Sequence, residues 1–72
     1  MADFTDYELV EYIDTHSRTE RALVHREHVR RLLTLAGRAV PDDLPAFVGV
    51  HYCDCRAIIE DARASVKAAQ DA

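Results

Sequence analysis

Apolar residues recur at helical spacing in three stretches of the chain. The first is Leu9, Val10 and Ile13, downstream of Thr5-Asp6-Tyr7-Glu8. A hydroxyl three residues before a glutamate is the capping-box pattern, in which each side chain accepts from the other residue's backbone N–H. The pattern predicts a helix over about 5–15, with Phe4 as an apolar staple ahead of the cap. Ser17-Arg18-Thr19-Glu20 repeats it and predicts a second helix over 18–36, closed by Gly37. At about 100° per residue, Ala22, His25, Val29, Leu32, Leu33 and Ala36 fall on one arc of that helix. Arg26, Glu27, Arg30, Arg31 and Thr34 fall opposite, and Leu23 lies among the charges. The third stretch is Cys55, Ile58, Ile59, Ala62, Val66 and Ala69, which predicts a helix over 54–69 with Asp54 as its N-cap.

Residues 37–53 break the pattern. Val40-Pro41-Asp42-Asp43-Leu44-Pro45 is turn chemistry, because each proline restricts the residue before it. Asp43 is placed to cap a short helical turn over 43–48, ended by Gly49. Leu44, Phe47, Val48 and Val50 are expected to pack down as a lid, since a long structureless loop is unusual in a small domain. The expected fold is all-α: a single domain over 1–72, built as a small three-helix bundle with a folded loop at 37–53.

Size and charge change this picture in two ways. A 72-residue chain forms one domain whose core supplies only about 3–5 kcal/mol, so a metal or a homo-oligomer would be a useful addition. The formal net charge is −4, unevenly spread. Residues 1–17 hold five acids and no Lys or Arg. The middle, with Arg18, Arg21, Arg26, Arg30, Arg31 and Arg38, is net positive, and the remainder is acidic again. This layout predicts charge pairing between the middle and its flanks. No run of apolar residues is long enough to span a membrane. The first residues carry neither a basic segment nor an apolar one, so no signal peptide is expected and the default compartment is the cytoplasm.

The residues with most chemical character are His51-Tyr52-Cys53-Asp54-Cys55, which hold both cysteines. A zinc site would use His51, Cys53 and Cys55 together with His25 or His28 of the middle helix. Against it stand the one-residue Cys spacing and the lack of a second Cys pair. The alternative reading makes Cys55 a small core residue and His25 a hydrogen-bonded core histidine. Cys55 as a nucleophile lacks an accompanying oxyanion site, so no enzyme is expected and no cofactor other than a possible zinc. Arg26, Arg30 and Arg31 could contact phosphates. The acidic balance and the prolines after that helix argue against a helix-turn-helix reading, so nucleic acid is the lesser alternative. What remains is a protein-binding module, such as an adapter, antagonist or accessory regulator. It is expected to dock a protein partner through Asp6, Glu8 and Glu11 of the first helix and Leu23, Arg26, Arg30 and Arg31 of the second.

Overall fold

A computed structural model of the chain describes residues 4–19 and 22–71. The Thr5 capping box forms as expected. Thr5 N–H donates to Glu8 Oε1 at 3.1 Å, and Glu8 N–H donates to Thr5 Oγ1 at 3.2 Å. Helix α1 follows over Asp6–Thr19. It runs beyond the expected end because Ser17 does not cap a new helix. Ser17 is buried inside α1, its hydroxyl donating to the Asp14 carbonyl one turn back.

The all-α three-helix bundle is corrected at the next element. The expected second helix over 18–36 is divided. Ala22–His25 is a strand, β1, and only Arg26–Leu35 forms helix α2. Likewise 43–48 holds no helical turn. Residues 42 and 43 make a turn, and Phe47–Val50 forms strand β2. The two strands pair antiparallel, Ala22 opposite Val50 and His25 opposite Phe47. Helix α3 runs over Tyr52–Asp71. The molecule is therefore three helices plus a two-stranded antiparallel sheet, in the order α1-β1-α2-β2-α3.

The helix ends explain the division. The side chain of His25 accepts from the Glu27 N–H through Nδ1 at 3.2 Å, so His25 is the N-cap of α2. His51 does the same for α3, accepting from the Cys53 N–H at 3.3 Å. Its carbonyl takes the first helical bond from Cys55 N–H. Asp54, expected as that cap, lies in the first turn instead. β1 thus ends on a histidine that starts the next helix, and β2 is followed at once by one that does. At the far end of α2, Gly37 has φ +72. Arg38 N–H reaches the Leu33 carbonyl and Gly37 N–H the Thr34 carbonyl, the paired bonds of a Schellman ending.

The core lies between the helices and one face of the sheet. Leu9, Val10 and Ile13 of α1 meet Val24 of β1, Val29 and Leu32 of α2, and Cys55, Ile59, Ala62 and Val66 of α3. The stripe expected for the last helix is buried as far as Val66, whereas Ala69 is exposed. Leu44, Val48 and Val50 pack against the core as expected of a lid, but Phe47 does not.

Candidate docking face of the hairpin

The phase of the β1–β2 ladder follows from one bond. Arg26 N–H donates to the Ala46 carbonyl at 2.9 Å, continuing the ladder past His25. Directly opposed residues in an antiparallel pair alternate between exchanging hydrogen bonds and not doing so. Val24–Val48 and Ala22–Val50 are therefore the bonded pairs, and Leu23–Gly49 and His25–Phe47 the non-bonded ones. Opposed residues share a face, and successive residues alternate faces. Val24, Val48, Ala22 and Val50 turn to the core. Leu23, His25, Phe47 and Gly49 form the outer face, which no helix covers: Leu23 is 66% exposed and Phe47 58%.

None of the eight strand residues is Asp, Glu, Lys, Arg or Pro. The Phe47 ring stands edge-on to His25, centroids 5.5 Å apart. The row of rings continues inward through His28 to Phe4 and Tyr12. Half-buried among them, His28 has its pKa lowered, first by desolvation, then by the charge of Arg31 and by His25. The imidazole there is held toward its neutral form.

The charged residues expected to dock a partner are mostly engaged within the fold. Asp6 accepts from Arg31 at 2.9 Å, and the same Arg31 nitrogen reaches the Phe4 carbonyl. Glu8 serves the capping box, which draws its pKa down. Glu11 pairs with Arg63, Arg30 with Glu27, and Arg38 with Asp61. Arg31–Asp6 and Arg38–Asp61 join the basic middle to its acidic flanks, as the uneven charge distribution implied, whereas Glu11–Arg63 joins the two flanks and Arg30–Glu27 lies within α2. Among the described residues, Arg26 is the one arginine of α2 without an ion pair. It is exposed, and its backbone lies beside Ala46 at the Phe47 end of the hairpin. Of the seven residues expected at a partner surface, the structure brings Leu23 to the outer face and leaves Arg26 exposed where β1 passes into α2, at the Phe47 end of the strand pair. Phe47 and Gly49 join Leu23, although the sequence reading placed Phe47 in a lid.

The largest internal charge cluster centres on Asp14, whose side chain is only 10% exposed. It accepts from Arg18 at 2.7 Å and from Arg63 at 2.6 Å. Burial pushes the Asp14 pKa up, but the two guanidinium groups outweigh it, and the net shift is downward. Arg18 also lies over the Tyr52 ring, 4.3 Å from its centroid. A shallow groove between α1 and the last turns of α3 is lined by Tyr7, Val10, Glu11, Arg63, Val66 and Lys67. Glu11 and Arg63 face each other across it.

The residues considered as metal ligands do not converge on one point. His25 and His51 close opposite ends of the hairpin, four residue steps along β2, on the order of 13 Å. Cys53 is exposed, and Cys55 is buried on the core stripe. Burial raises the Cys55 thiol pKa, more than its hydrogen bond with Ser17 lowers it. Among the described residues, no three His, Cys, Asp or Glu side chains gather where they could hold a metal ion. Among the described residues, no helix is long and apolar enough to cross a membrane. Comparison with protein-family models, with curated proteins and with solved structures gives no significant match.

Proposed function

We propose that this protein is a binding module that docks a protein partner on the outer face of its two-stranded sheet. The observation that carries the reading is one face presenting Leu23 and Phe47 together, with an unpaired arginine at the Phe47 end of the strand pair. Large apolar side chains that a register aims away from the core add little to it. Aromatic and arginine side chains are the residues that dominate binding energy at protein interfaces. The complement of this face is a segment that places an apolar side chain between Leu23 and Phe47 and a carboxylate against Arg26. The acids of α1 are held by arginines of the same chain, so they take the role of internal struts in this reading.

Affinity capture from the native host, with the bound proteins quantified, tests it. Leu23→Asp with Phe47→Asp should abolish enrichment of the partner, and Arg26→Glu should reduce it. Glu60→Gln with Lys67→Ala, on the exposed side of α3, should leave it unchanged. Equal enrichment by the hairpin variant and the wild type would refute the proposal.

A further inference from the structure

The free edge of β2 is a separate surface from the outer face. Because His25–Phe47 and Leu23–Gly49 are the non-bonded pairs, the N–H and C=O groups of Phe47 and Gly49 point away from β1. Neither residue makes any other hydrogen bond among the described residues. Gly49 is exposed, and as it has no side chain, what it exposes is backbone. Proteins usually protect such an edge with a charge, a proline or a bulge. β2, with the sequence Phe-Val-Gly-Val, has none of these within its span.

We infer that this edge pairs with the same edge of a second copy of the chain. The pairing is antiparallel about a two-fold axis at Val48, and two hairpins join into a four-stranded sheet. The register follows from the groups available. Only Phe47 and Gly49 offer outward N–H and C=O groups within the strand. The two-fold pairing that uses all of them sets Phe47 opposite Gly49 of the second copy, and the reverse. That arrangement makes about four inter-chain hydrogen bonds. Pro45, next in phase, has no N–H to give, so the ladder stops at Phe47.

Side chains agree with the backbone. In this register the exposed Phe47 ring lies over Gly49 of the second copy, where no side chain obstructs it. An aromatic ring across from a strand glycine is a recognised way of covering that gap. Leu23 flanks Gly49 on its other side and His25 of the second copy flanks Phe47, so a row of Leu23, Gly49, Phe47 and His25 crosses the four strands. An uncharged strand also meets its own copy without like-charge repulsion. The other edge fits less well: α1 packs on β1, and His25 is half-buried and turned to the cap of α2. A closed two-fold pairing of this kind gives dimers rather than fibres.

Sedimentation equilibrium up to about 1 mM protein reads the association, which a ladder this short makes weak. Amide hydrogen exchange at low and high concentration locates it. The expected result is a concentration-dependent dimer, with exchange slowed at the Phe47 and Gly49 amides and unchanged at Val24 and Val48. Gly49→Pro removes an outward N–H that the internal ladder does not use, and should weaken dimerisation roughly tenfold or more. Phe47→Lys keeps the backbone and should do the same by placing charge on the edge; it decides the matter if the proline variant loses its circular-dichroism spectrum. A chain that stays monomeric at 1 mM, or a dimer in which those two amides exchange as before, would overturn the inference. Leu23→Asp separates this inference from the docking proposal, since it should abolish partner capture while leaving the edge amides and the dimer in place.

Discussion

Replacing Asp14 with Asn tests the charge cluster that ties α1 to α3. The substitution keeps the size of the side chain and one acceptor oxygen but removes the charge that both guanidinium groups face. Two effects set the magnitude. Charge-assisted hydrogen bonds are worth about 1.5–3 kcal/mol each when well shielded, and breaking a fully buried pair costs about 3–5 kcal/mol. Here the carboxylate is shielded but Arg18 and Arg63 are 56% and 43% exposed, so water recovers much of the loss. The expected cost is therefore about 1–2 kcal/mol. In a domain of this size each kcal/mol moves the melting temperature by about 4–8 °C, which circular dichroism resolves easily.

The pH dependence makes the test specific. The folded state holds the Asp14 pKa below its ordinary 3.8, so the folded protein binds fewer protons than the unfolded chain in that region. The stabilisation is complete above the unfolded-state value and is lost as pH falls through the depressed folded value. The difference in melting temperature between wild type and Asp14→Asn should be full at pH 7, begin to narrow below about pH 4 and close only as pH passes below the depressed folded value. A gap that persists unchanged into strong acid would show that the substitution disturbs packing rather than charge. No gap at pH 7 would remove the cluster from any account of stability.

Three further outcomes follow from the helix ends and the ring row. His25→Ala and His51→Ala should each cost about 0.5–1 kcal/mol, the lower part of the range for an N-cap because both bonds are long; urea titration measures it, and an unchanged midpoint for both would remove the capping role. Gly37→Ala should cost about 1 kcal/mol through its positive φ alone, since an added Cβ meets nothing within 4 Å, and Gly37→Asn should cost less. His28 is held below its ordinary 6.5, so the unfolded chain takes up its proton first. Stability should fall as pH drops from about 6.5 toward the folded value, and His28→Phe should flatten that slope in chemical denaturation series at pH 5–7.

What could be read from the sequence was what rests on neighbours along the chain. The Thr5–Glu8 box, the Gly37 ending and the α3 stripe through Val66 depend on residues within a turn or two of each other. The hairpin does not. β1 is chosen by β2, and α2 with its following loop lies between them. Four residues are also too few to separate a period of 2 from one of 3.6, because Ala22 and His25 satisfy helical spacing as well. Histidine is outside the usual set of N-cap residues, so neither His25 nor His51 announced a helix start. Ser17 and Glu20 matched a capping pattern, but burial of Ser17 against the core kept α1 going. At the candidate face, Leu23 stood out as an apolar residue among charges, and Arg26 as one of several arginines. Phe47 looked like core because its outward aim depends on the strand register, which only the pairing of β1 with β2 defines.

The two histidine caps have a consequence for the sheet itself. A strand pair this short, uncharged on both faces and with a glycine in one strand, is held in register mainly by its buried face, and a slip of one residue exchanges the two faces of a strand. In this chain neither strand has a linker between it and the helix that follows. His25 ends β1 and at once begins α2, and His51 stands between Val50 and α3. Sliding β1 against β2 by one position would pull at least one imidazole off the amide that it caps and drag a helix along its axis through the packed core. The caps therefore act as pawls on a ratchet: they hold the strands in the one alignment that sends Val24 and Val48 inward and leaves Leu23 and Phe47 outside.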